Sequence, residues 1–186
     1  MAKEGIFKIW LVDAGARSDD YWGEGTMYAV GCYLRDYFNE VCNHSSSPFA
    51  SAAFSWSGNA GVVASHELVV YFLAGFKRSI VRKFYPGVGI AGGNTFGSPA
   101  GMISEVYLSE QEGDRNYPRL VANLAFHELL HNKLDAEANS AIPSVHALNT
   151  GLSVVPVLRD ARPAQKEIEL MATNLRRQVP QYTAEM

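Results

Sequence analysis

The chain has 186 residues, 47% of them hydrophobic and 19% charged, which excludes a disordered chain and suffices for one core of ordinary size. Sixteen basic against nineteen acidic side chains leave a formal net charge of −3, so nothing electrostatic favours nucleic acid or an anionic membrane as a partner. No run reaches the roughly eighteen apolar residues of a transmembrane helix, and MAKEGIFKIWLVDAG is too short and too charged for a secretory signal. The product therefore reads as cytoplasmic as synthesised, with export by a route lacking a cleaved signal left open.

Ile6 to Val12, IFKIWLV, is β-rich and apolar and predicts a central strand. A Gly- and Asp-containing loop leads to Thr26 to Cys42, where Met27, Val30, Tyr33, Leu34, Tyr37 and Phe38 recur with helical period. Cys32 and Cys42 are ten positions apart on that helix, about 15 Å, which forbids a mutual disulfide. Asn43 to Ser65 is rich in Ser, Ala and Gly and reads as loop, with a short strand at Val62 to Ala64. Glu67 to Ala74, ELVVYFLA, predicts a second strong strand, and Phe76 to Tyr85 has no clear type. GVGIAGGNTFGSPAG, with six Gly in fifteen residues, predicts a mobile or tightly turning loop, and Met102 to Leu108 alternates as a strand.

A polar turn, SEQEGDRN, then leads into a helix predicted from about Tyr117 to Ala138, with Asn116 as its cap and Pro118 in its first turn. Inside it stands HELLH. His127 and His131 lie one turn apart, so two imidazoles can meet one metal ion while Glu128 reaches a water bound to it. Ala122, Ala125, Phe126, Leu129 and Leu130 form an apolar face, and His127, Glu128, His131 and Asp135 share the opposite sector. A solvated stripe would more naturally be Lys and Glu, so this pattern favours a metal site over a surface face. Beyond it, Ala141 to Val157 reads as irregular and Pro163 to Arg177 as a charged amphipathic C-terminal helix. One α+β domain follows, a small mixed sheet packed on the HELLH helix.

A strand, helix, strand, edge strand and then a helix carrying His127, Glu128 and His131 is similar to the catalytic domain of the zincin metallopeptidases. The resemblance implies a Zn²⁺ ion on the two His and an extended peptide or protein substrate lying along the sheet edge. It assigns that edge to Met102 to Leu108, with the Gly-rich loop as a cleft wall or lid. It also implies that the ion activates a water and polarises the scissile carbonyl, with Glu128 as general base rather than ligand.

A catalytic zinc takes a third protein ligand, and here the residues leave a choice. His146, in SAIPSVHALNTG, follows Pro143, where the helix has ended and the chain can fold back; it is the first candidate. Asp135 is the second, but in an unbroken helix its Cα lies about 12 Å along the axis from that of His127, which suits orientation of an imidazole better than ligation. The metzincin spacing would need Gly where Leu134 stands and a ligand at Glu137, so the chain departs from that pattern. His66 and His44 lack partners at ligand spacing, and Tyr107, Tyr117 and Tyr182 are equivalent candidates for an oxyanion donor. The functional readings are a zinc peptidase, a zinc amidase or deformylase-like hydrolase of a small amide, and a non-catalytic zincin-like binding or toxin-inhibitor module.

Overall fold

The computed structural model describes residues 3–18, 21–58, 63–64, 66–88, 92–109, 117–134 and 162–183. The first apolar run forms β1, Glu4–Asp13, and the periodic segment after it forms α1, Glu24–Asn43. β2 is Phe49–Ser57 and β3 is Leu68–Leu73, every residue of which is buried. A short helix α2, Val81–Phe84, precedes a hairpin of β4, Gly93–Ser98, and β5, Gly101–Tyr107. Then come the HELLH helix α3, Tyr117–Lys133, and a last helix α4, Gln165–Asn174. The domain is α+β, with a mixed five-stranded sheet in the order β2-β1-β3-β5-β4. Only β4 runs antiparallel to its neighbour.

Alternation along the strands sorts side chains between two cores. Phe7, Ile9 and Leu11 of β1 and Val70 and Phe72 of β3 face α1, α3 and α4, whereas Val12, Val69, Tyr71 and Leu73 face a smaller cluster with Ile80, Val81 and Tyr182. α3 is thus pressed between the sheet and two helices. No helix among the described residues is long and apolar enough to cross a membrane.

Four expectations from the sequence are corrected. Within Asn43 to Ser65, read as loop, lies the nine-residue strand β2; its FASAAFSWS alternates small residues with aromatics too weakly to signal a period. Val63 and Ala64 belong to no strand, and Val62 lies outside the described residues. The Gly-rich segment holds β4, stapled to β5 by a two-residue turn between Ser98 and Gly101, where Gly101 takes φ +122°, a conformation L side chains rarely adopt. Met102 to Leu108 is consequently no edge: β5 pairs with β3 on one side and β4 on the other, and β4 is the edge among the described residues. Cys32 and Cys42 are free thiols, as their shared helix requires.

Candidate active site

α3 is buried around nearly its whole circumference, including its polar sector. His127 is 3% exposed and Glu128 4%, and His131 is half-buried, so the motif does not form a solvated stripe. Several side chains fix the helix in rotation. The Tyr37 hydroxyl donates to Asn123 Oδ1 at 2.7 Å from α1. Asn132 and Gln181 exchange two amide hydrogen bonds of 2.9 Å, and Asn132 Nδ2 also donates to Ser104 Oγ of β5. At the C-terminal end, buried Lys133 donates to the carbonyls of His66 and Arg177.

With the helix so held, His127 Nε2 and His131 Nε2 stand 2.9 Å apart with their rings perpendicular. Two imidazoles on one tetrahedral Zn²⁺, each about 2.0–2.1 Å from it, have nitrogens about 3.3–3.4 Å apart. An opening of a few tenths of an ångström would seat the ion, and the two residues fit the group. Burial, and secondarily the charge of His131, pushes His127 down to about 3, so the ring is neutral, the form that ligates. Among the described residues no third His, Cys, Asp or Glu joins the pair. Asp135, His146 and Glu137 lie outside the described residues.

Glu128 points toward the sheet edge. Thr95 Oγ1 of β4 lies 2.7 Å from its Oε2 and 2.8 Å from its backbone carbonyl. One hydroxyl proton serves one of them at a time: Thr95 donates to the carboxylate when Glu128 is ionised, and to the carbonyl while accepting from the carboxyl when it is protonated. Burial is the chief cause raising the carboxyl to about 8; the Thr95 contact lowers it and the charge of Glu105 raises it. Gly93 makes the room: a Cβ there would stand 2.7 Å from Glu128 Oε1 and 2.7 Å from the Glu105 carbonyl.

The other candidates fall elsewhere. The His66 ring stacks on Phe49 and its carbonyl holds Lys133, while His44 accepts a hydrogen bond from the Ser46 backbone. Tyr107 and Tyr182 belong to the core on the opposite face of the sheet. Tyr117 starts α3, ten residues and about 15 Å along the axis before His127. Thr95 and Gly93 were not legible as site residues, because nothing in a Gly-rich stretch announces an edge strand beside the motif. Asn132 gave no signal at all, since its partner Gln181 is 49 positions away. No family model, curated protein or solved structure matches the chain.

Proposed function

We propose that the chain is a zinc-dependent peptidase of zincin type. The observation that carries the reading is the approach of two imidazole nitrogens, 2.9 Å apart, on a helix whose buried Glu128 carboxyl faces an edge strand. When bound, zinc supplies Lewis acidity and a water that ionises near neutral pH. His127 and His131 hold the ion, with His146 as the preferred third ligand and Asp135 as the alternative. Glu128 takes the proton of the attacking water and delivers it to the leaving amine; the cation's charge favours its ionised form, opposing the burial that raises it otherwise. Thr95 orients that carboxyl. β4, which replaces Met102 to Leu108 as the edge, offers an extended peptide a side that no strand pairs among the described residues. The near-complete burial of His127 and Glu128 also suits a small amide as substrate, which is the second reading.

The test is zinc content after purification with the metal supplied, for wild type, His127→Ala and His146→Ala, paired with hydrolysis of a mixed peptide library. Wild type should carry one zinc and cleave; Glu128→Gln should keep the metal and lose about 10²–10⁴-fold in rate. Wild type without stoichiometric zinc sinks the enzymatic reading, and His146→Ala binding zinc like wild type moves the third ligand elsewhere. Zinc binding with hydrolysis of small amides alone selects the second reading.

A further inference from the structure

At the far edge of the sheet from the HELLH helix, α1 carries a stripe at helical spacing in which Glu24, Tyr28 and Arg35 are exposed and Met27, Gly31 and Cys32 half-buried. They form one wall of a groove whose other wall is β2, through Ala52, Phe54 and Trp56. Tyr28 stands 72% exposed on its rim. β2 is the other edge strand: among the described residues no strand pairs with its outer side, and from Phe49 to Ser57 it has no charged side chain. Edge strands are ordinarily blunted by charge, proline or cover, and this one has the first two of those devices nowhere along its length.

We propose that the occupant of this groove is a second copy of the same chain, docked about a two-fold axis that crosses α1 between Tyr28 and Gly31. The stripe is complementary to itself under that operation. Two antiparallel copies of α1 meeting there set Tyr28 opposite the partner's Gly31, Met27 opposite the partner's Cys32, and Glu24 opposite the partner's Arg35, each twice by symmetry. A large side chain meets a small one at the centre. Opposite charges meet at both ends. Gly31 lets the edge of the Trp56 indole pack close against α1, a Cβ at that position lying only 3.3 Å from Trp56 Nε1, and Trp56 lines the groove beside the incoming phenol. Arg35 reaches back toward Cys32, Nη2 to Sγ 3.2 Å, which keeps its charge over the end of the groove where the partner's Glu24 arrives. The β2 strand that forms the other wall is uncharged, so no like charges on it oppose the approach.

Sedimentation equilibrium on the full chain tests this over roughly 1–200 μM, spanning the weak homodimers such a modest patch would give. The mass should rise from 20.4 kDa toward twice that value. Glu24→Arg and Arg35→Glu should each weaken the dimer at least about tenfold by opposing like charges, while the double reversal restores it to near wild type. Tyr28→Glu should leave only monomer. Far-ultraviolet circular dichroism and the unfolding midpoint of each variant, matched to wild type, keep a folding defect from counting as loss of the interface. A wild type that is monomeric throughout overturns the proposal, including the case in which it instead binds an apolar dye in a Tyr28-dependent way. So does a dimer indifferent to Tyr28→Glu, or a double charge reversal that folds and stays monomeric. None of these outcomes depends on the zinc reading.

Discussion

Replacing Glu128 by Gln should make the metal-free protein more stable, and by an amount that grows with pH. In the folded chain burial holds the carboxyl at about 8 against an ordinary value of 4.5. Below pH 4.5 folded and unfolded chains both carry the proton and the group contributes no difference. As the pH rises toward 8 the unfolded chain ionises first, so the folded state loses about 1.4 kcal/mol per pH step, on the order of 5 kcal/mol once the folded carboxyl has also titrated. His127 acts in the opposite direction: held at about 3 rather than 6.5, it removes stability as the pH falls below 6.5. Between 4.5 and 6.5 the two slopes oppose, and above 6.5 the His127 slope ends while that of Glu128 continues. Glu105, whose carboxyl burial also raises, is common to both proteins and cancels from their difference. Urea unfolding in the presence of chelator at pH 5, 6.5 and 8 measures it. Glu128→Gln should gain about 3–4 kcal/mol on wild type between the first and last of these. A difference that stays constant within about 0.5 kcal/mol across the range would refute the claim that the folded state holds this carboxyl protonated.

Gly93→Ala should cost about 1–3 kcal/mol, because the new Cβ meets the Glu105 carbonyl and the Glu128 side chain at 2.7 Å. Gly97→Ala on the same strand meets only Met102 Sδ at 3.4 Å and should be near neutral, so thermal unfolding of the pair separates a crowding effect from a general intolerance of alanine in β4. Tyr37→Phe removes the donor to buried Asn123 Oδ1 and should cost about 1–2 kcal/mol by denaturant unfolding without changing the m-value. Lys133→Met keeps the volume but leaves the His66 and Arg177 carbonyls without their shared donor; a loss of about 2–4 kcal/mol is expected, and a neutral result would mean that water replaces the ammonium.

The parts of the fold that the sequence makes legible are those whose side chains repeat with one period. β1 and β3 are apolar runs bounded by turn residues, and α1 repeats its apolar positions every three or four residues. The pairing of His127 with His131 follows from the same arithmetic, since one helical turn separates them whatever else the chain does. β2 and β4 escape it because their identity as strands comes from a neighbour: FASAAFSWS and GNTFGS have little propensity of their own and are held by β1 and β5. The burial of the polar sector of α3 is illegible for a related reason. Periodicity finds the apolar face, but only the packing of β4 and β5 against the opposite side explains why Glu128 is as buried as Leu124.

Among the described residues, Gly93, Thr95, His127, Glu128 and His131 all fall within one stretch of chain, from Gly93 on β4 to Lys133 at the end of α3. β1 and β2 give it a wall, and α1 adds the Tyr37 hydroxyl that holds Asn123. A hairpin and the helix that follows it can open and reclose together as a cooperative unit while the parallel strands behind them stay paired. The hydrogen bonds from Thr95 to Glu128 and from Asn132 to Ser104 join the two halves of that unit and would keep them together as it opens. Capacity to capture metal would then follow this unit's local opening equilibrium rather than global unfolding, and amides of β4 and α3 would exchange with shared kinetics.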